Sequence, residues 1–198
     1  MMYKKEREEM CQVAQIMFDR KLTNAAGGNI SVRMNEEHVI MTPSLMSEEY
    51  FCRLRPEQIL VTTLDGEIIE GEGKITRESN MHLGIYKNLP DANCVLHAHP
   101  KETMVYISLA EELPSATEAT DKFGEVKVLP YAKSCSEELA NIAIEYFKTR
   151  EEELKKHGLI ALLRRHGIVI VDKDLKTAFN GLERTETNAY VNLHANKF

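Results

Sequence analysis

The stretch Asn93-Cys94-Val95-Leu96-His97-Ala98-His99-Pro100 places two histidines at alternate positions of a β-rich run. Successive side chains of a strand point to opposite faces, so His97 and His99 share one face. Cys94, Leu96 and Ala98 face the other way, into packing. Pro100 has no N–H for a sheet ladder and ends the strand where the second imidazole emerges. Two imidazoles on one face of a strand end are half of a metal site, because catalytic zinc commonly takes three protein ligands and keeps one position open. The remaining chain is therefore read for a third ligand and for a group that moves protons.

His166 supplies the third. It stands in Arg164-Arg165-His166-Gly167, a tight turn between the apolar runs Leu159 to Leu163 and Ile168 to Val171. An isolated H-x-H pair, or a turn histidine, is also an ordinary structural feature, and the metal reading rests on the three together. Three neutral imidazoles leave a bound zinc strongly electrophilic. Glu78 lies at a predicted helix start, one segment before the histidine strand. An acid is common there for electrostatic reasons. Near a polarised carbonyl compound, the same carboxylate is a general base for the adjacent C–H. Ala26-Gly27-Gly28-Asn29 is either a plain glycine turn or a loop whose backbone N–H groups, with the Asn29 amide, receive an anion.

Around these residues the periodicity predicts alternating helices and hairpins. Lys4 to Arg20 reads as a helix, with Met10, Val13, Ala14 and Met17 at helical spacing. Ile30 to Arg33 and His38 to Met41 read as a hairpin, closed by Thr42-Pro43-Ser44. Ile59 to Leu64 and Glu67 to Glu70 flank Asp65-Gly66, the signature of a type I′ turn. Thr76 is the predicted cap of a helix carrying Met81, His82, Ile85 and Tyr86. Pro100 opens a helix with Met104, Val105, Ser108 and Leu109 inward. Glu125 to Leu129 is a strand. Ser134-Cys135-Ser136-Glu137 fits a capping box for a helix with Leu139, Ile142, Ala143 and Tyr146 inward. A last helix runs from about Asp174 to the end of the chain. Several strand pairs are hairpins, which excludes an all-parallel βαβ sheet. The expected fold is α/β: three layers, with a mixed, mainly antiparallel central sheet flanked by helices.

Length and composition bound the function. A chain of 198 residues is expected to form a single domain over 1–198, at roughly 150 residues per domain. A net charge of −6 and a pI near 5.7 argue against a broad basic face for nucleic acid. No apolar run approaches the roughly 18 residues that span a bilayer, and no membrane partner is expected. The first nine residues are charged, unlike a secretion signal. Cys11, Cys52, Cys94 and Cys135 are scattered, which suits reduced thiols. A cytoplasmic protein is expected.

Read together, these residues resemble the class II aldolase/adducin family, and within it the fuculose-1-phosphate aldolase branch. The resemblance runs collinearly from about Glu6 to His194. It rests on Ala26-Gly27-Gly28-Asn29-Ile30-Ser31-Val32-Arg33, on Met41-Thr42-Pro43-Ser44, on Glu78-Ser79-Asn80-Met81-His82 leading to His97-Ala98-His99-Pro100, and on Arg165-His166-Gly167-Ile168-Val169. It implies one zinc ion per subunit on His97, His99 and His166, and Glu78 as the catalytic glutamate. It implies a substrate phosphate held by Gly28, Asn29, Ser44, Thr76 and Arg77. It also implies a homotetramer with active sites between subunits. The implied reaction makes or breaks a carbon–carbon bond of a ketose phosphate through an enediolate. Four positions depart from the usual pattern. Leu45 stands where the family's turn carries glycine, and Thr76-Arg77 replaces two serines. Glu118 falls where a neighbouring subunit's tyrosine often donates a proton, and is its expected stand-in. A 4-epimerase of the family is the first alternative, although aspartate is typical at its base position. A decarboxylase, with Arg77 holding a carboxylate, is the second. An adducin-like interaction module, which lacks the histidines, is the third.

Overall fold

The computed structural model describes residues 1–195. The strands β1 (Asn29–Arg33), β2 (His38–Met41), β3 (Leu60–Thr63), β4 (Ile68–Glu70), β5 (Cys94–Ala98), β6 (Glu112–Leu113), β7 (Val126–Leu129), β8 (Leu159–Leu163) and β9 (Gly167–Asp172) form one sheet. Its spatial order is β4-β3-β2-β1-β5-β9-β8-β7-β6. All neighbours are antiparallel except β7 and β8. The helices are α1 (Lys4–Asp19), α2 (Met46–Tyr50), α3 (Ser79–Asn88), α4 (Thr103–Leu109), α5 (Glu137–Lys148), α6 (Glu151–Leu154) and α7 (Leu175–His194).

Strand alternation divides the core into two layers. Leu96, Ile168 and Ile170 pack with Met10 and Met17 of α1, Ile107 of α4 and Leu182 of α7. Val95, Val169 and Val171 pack on the other face with Met81 and Ile85 of α3 and Leu139 and Phe147 of α5. Strands buried on both faces read as continuous apolar runs, which is the pattern of Leu159–Leu163 and Gly167–Asp172. The architecture is the helix-flanked, mainly antiparallel α/β sheet that the hairpin signals imply.

Several local expectations are corrected. The Asp65-Gly66 turn is not type I′, because only Gly66 takes a positive φ, of 87°. Leu64-Asp65-Gly66 forms a three-residue loop, closed by Thr63 N–H to the Glu67 carbonyl at 2.9 Å. The Thr63 hydroxyl accepts from both Asp65 N–H and Glu67 N–H at 3.2 Å, which favours this geometry. Glu78, rather than Thr76, is the residue before α3, and Thr76 sits in the preceding turn. The inward side of α4 is Thr103 and Ile107, with Met104 half-buried against the core as expected, whereas Val105, Ser108 and Leu109 are exposed, Leu109 by 81%. The cause is Glu186 on α7. Its carboxylate accepts from Glu102 N–H at 2.7 Å, and from Thr103 N–H and the Thr103 hydroxyl at 2.9 and 2.7 Å, which turns Thr103 inward. Ser136, not Ser134, caps α5, accepting from Leu139 N–H at 3.1 Å. The inward face of α5 shifts accordingly to Leu139, Ala140, Ala143, Ile144 and Phe147. The expected last turns of the final helix, at 196–198, lie outside the described residues.

Candidate metal centre

Three adjacent strand ends meet at one end of the sheet. Asn29 opens β1 and pairs directly with His97 near the end of β5, and His97 pairs across the other side with Val169 of β9. His166 immediately precedes β9, in a turn closed by its own N–H on the Leu163 carbonyl at 2.9 Å. The ladder thus sets His97, His99 and His166 side by side, with ring centroids 4.8–5.4 Å apart. One ligand atom from each lies within 4.8 Å of the others.

Close approach of these rings depends on two glycines. A Cβ at Gly167 would lie 2.5 Å from the Ala98 carbonyl and 2.6 Å from both the His97 and His99 rings. A Cβ at Gly27 would lie 2.5 Å from the His99 ring. The sequence signalled Gly167 only as a turn residue. Its neighbours make it a packing residue of the centre.

The electrostatics favour a cation. His97 Nδ1–H donates to the Ile168 carbonyl at 2.9 Å, which leaves the Nε2 lone pair facing the cluster. His97 Nε2 stands 3.0 Å from His99 Nε2 and 3.2 Å from Glu78 Oε2, and His166 Nε2 is 3.1 Å from Glu78 Oε1. Burial pushes His99 and His166 down to about 3 and about 4, so both are neutral near pH 7. Burial pushes the Glu78 carboxyl up. The adjoining His97 and His166 rings and the Asn29 amide outweigh that and hold it at about 2. A buried carboxylate and three imidazoles crowd together, yet Glu78 Oε1 and His166 Nδ1 have no hydrogen-bond partner. This donor set, rich in lone pairs and poor in protons, fits a divalent metal.

These groups line a cleft of about 90 Å³. Gly28, Asn29, Ser44, Thr76 and Arg77 line it with Glu78 and the three histidines, so it gathers all the expected binding positions. Asn29 already has a partner: its amide Nδ2–H donates to Glu78 Oε2 at 3.1 Å. Arg77 is exposed at the rim. Glu118 is not in the cleft. It is exposed at the start of a 3₁₀ turn, Glu118–Phe123. That turn is pinned by the Thr120 hydroxyl donating to Asn188 Oδ1 at 3.0 Å. Leu45, which stands in place of the family's glycine, also lines the cleft, as do Ser134 and Cys135, which the sequence did not single out for the site. Leu45 and Cys135 both take left-handed backbone, at φ 63° and 62°, a feature that no local composition announces.

Residues 8–193 match the family described as Class II Aldolase and Adducin N-terminal domain. The chain is 33% identical over 192 residues to a 5-deoxy-D-ribulose 1-phosphate aldolase of Bacillus thuringiensis, covering 96% of this chain and 85% of that one. It is 27% identical over 194 residues to a 3-oxo-tetronate 4-phosphate decarboxylase of Haemophilus influenzae, covering 93% and 85%. A solved structure of an L-fuculose 1-phosphate aldolase superposes with a TM-score of 0.86 at 28% identity, covering 100% of this chain and 89% of that one.

Proposed function

The chain belongs to the class II aldolase and adducin family, and from that premise we propose that it is a zinc-dependent aldolase acting on a ketose 1-phosphate. The observation that carries the reading is the convergence of His97, His99 and His166 on one point beside the buried Glu78. Zinc held by these imidazoles would act as a Lewis acid toward the oxygens of a ketose.

The chain's own residues do the rest. Glu78 is ionised and within reach of the same point, so it is the group that exchanges a proton with the carbon beside the ketone. In the cleavage direction the second acid/base group takes the proton of the hydroxyl on the carbon that becomes the aldehyde, the carbon–carbon bond breaks to that aldehyde and an enediolate, and Glu78, after taking up a proton from solvent, delivers it to carbon. In synthesis it removes that proton. Gly28, Asn29, Ser44, Thr76 and Arg77 bind the anionic end, through backbone N–H groups and the guanidinium. Glu118 reaches the metal site of a neighbouring subunit in a homotetramer and serves as the second acid/base group. The setting is cytoplasmic. Among the described residues no helix is long and apolar enough to cross a membrane.

The test is a retro-aldol screen of ketose 1-phosphates with the zinc-loaded protein, scored by release of dihydroxyacetone phosphate and an aldehyde. Release that disappears on chelation and returns with zinc supports the reading. Metal-loaded protein that cleaves no ketose 1-phosphate overturns it. Light scattering that reports a monomer at micromolar concentration would overturn the tetramer and the role of Glu118.

One second reading has its own observation. Arg77 stands at the rim beside Glu78, where a guanidinium could hold a carboxylate bidentately, and one relative is named as a decarboxylase of a 4-phosphorylated oxo acid. Carbon dioxide released from such an acid, with no aldehyde from ketose phosphates, would favour it.

A further inference from the structure

Behind Glu78 lies a second buried polar group that the proposed chemistry does not use. His82 is fully buried on α3, and its Nδ1 lies 2.7 Å from the Ser31 hydroxyl of β1. Ser31 Oγ lies 2.8 Å from Tyr86 OH, which accepts from Val95 N–H at 3.1 Å. The arrangement that satisfies both hydroxyl hydrogens has Tyr86 O–H donating to Ser31 Oγ and Ser31 O–H donating to His82 Nδ1. Burial pushes the ring down to about 3, so His82 is neutral and carries a single N–H. With Nδ1 accepting, that proton is on Nε2.

His82 Nε2 is buried and has no hydrogen-bond partner. It is a donor lacking an acceptor. One helical turn away, Glu78 Oε1 is a buried acceptor that makes no hydrogen bond, its nearest nitrogen being His166 Nε2 at 3.1 Å, whose lone pair the metal reading reserves for the ion. The two residues are four apart at the start of α3, with His82 N–H bonded to the Glu78 carbonyl at 3.3 Å. That spacing puts their side chains on one face. Two complementary orphans in one buried site call for an explanation, since a buried polar group left unpaired is costly.

We propose that His82 is a positioning residue for Glu78: its Nε2–H, held in orientation by Ser31 and Tyr86, is the donor for Glu78 Oε1 through one buried water. Asn29 then holds Oε2 and His82 holds Oε1. The carboxylate is then held from two sides by residues outside the three-histidine set. This rests on Glu78 as the proton-transfer group, and the experiment separates the two ideas.

The first measurement needs no turnover. Nitrogen-15 NMR of histidine-labelled, zinc-loaded protein should show His82 as the Nε2–H tautomer at neutral pH. Its Hε2 resonance should shift in Glu78→Gln. An Nδ1–H tautomer, or an Hε2 signal that ignores Glu78→Gln, overturns the proposal. The second measurement is deuterium exchange into dihydroxyacetone phosphate in heavy water. His82→Leu should exchange about tenfold or more slowly at unchanged zinc content and unchanged KM, and His82→Gln, which keeps an N–H donor, should recover much of the rate. A folded, zinc-loaded His82→Leu that exchanges at the wild-type rate overturns the proposal. Should His82→Leu fail to fold, a slow-exchanging His82→Gln with no shifted Hε2 in Glu78→Gln does the same. Wild-type protein that exchanges nothing would overturn the aldolase reading instead, and the NMR arm would still decide His82.

Discussion

The two walls of the cleft are built in different ways. On one side Asn29, His97 and Gly167 sit on adjacent strands whose ladder dictates their spacing. There the side chains are buried and interlocked, as with His97 Nδ1–H on the Ile168 carbonyl and Asn29 on Glu78. On the other side Leu45, Arg77 and Cys135 ride on turns and are exposed, and two of them occupy left-handed backbone. A metal donor set tolerates errors of only about 0.2 Å, and a ladder provides such precision. A rim on turns can change residue without disturbing the sheet, which suits selection among substrates. The ladder wall should therefore hold what the reaction cannot do without, and the rim should hold what distinguishes one substrate from another.

The largest effect should come from breaking the ladder wall. His166→Ala removes one of three proposed ligands. Metal affinity should fall by more than the roughly 10–100-fold that loss of an outer-shell partner costs, with activity falling in parallel. Metal analysis by mass spectrometry, beside Tm, checks this. A variant that keeps stoichiometric zinc would remove His166 from the centre.

Glu78→Gln should have the next largest effect and a different character. The fold and the metal should survive, since a neutral amide of the same shape replaces a group buried against imidazoles. Turnover should fall by about 10²–10⁴-fold. Near-normal turnover in metal-loaded protein would place the proton transfer elsewhere.

The two walls also differed in how far the sequence revealed them. Strand alternation and Pro100 placed His97 and His99 on one face, and His166 was legible from a Gly-bearing turn between two apolar runs. These signals are local and periodic, so they survive without tertiary information. What failed was tertiary in origin. The inward face of α4 was misread because Glu186, more than 80 residues later, turns Thr103 inward. The start of α3 was misplaced because the turn at Thr76 bonds onto Ser79 instead of capping the helix. Nothing in Ser134-Cys135-Ser136 indicates that Cys135 lines the cleft. The pairing of Asn29 with Glu78 was invisible for the same reason. The glycine loop suggested an anion contact, and only the register of β1 against β5 shows the amide donating to the carboxylate.

Arg77→Ser tests the rim. If the guanidinium holds the anionic end, KM for the true substrate should rise by more than about tenfold, a loss of at least about 1.4 kcal/mol of binding, with kcat and metal little changed. The same variant compared on phosphorylated and carboxylated substrates sharpens the choice between aldolase and decarboxylase. Unchanged KM would make Arg77 a surface charge without a part in recognition.

The smallest effect concerns Leu45, and there the sign is more informative than the size. Leu45 sits at φ 63° and is 37% exposed. Left-handed backbone costs a residue with a side chain roughly 1–2 kcal/mol. Leu45→Gly removes that strain but adds about 0.5–1 kcal/mol of chain entropy to the unfolded state. It also forfeits part of the roughly 1.5–3 kcal/mol that a leucine gains on full burial. These terms nearly cancel, and Tm should stay within about 4 °C of wild type. Leu45→Ala loses the same packing and keeps the strain, so it should be the less stable of the two. That inverts the order found in ordinary backbone, where alanine exceeds glycine. Thermal unfolding of the pair reads the order directly. If alanine is the more stable, the left-handed conformation is not what the turn requires. Leu45 would then be a packing residue, and the departure from the family's glycine would carry no backbone penalty.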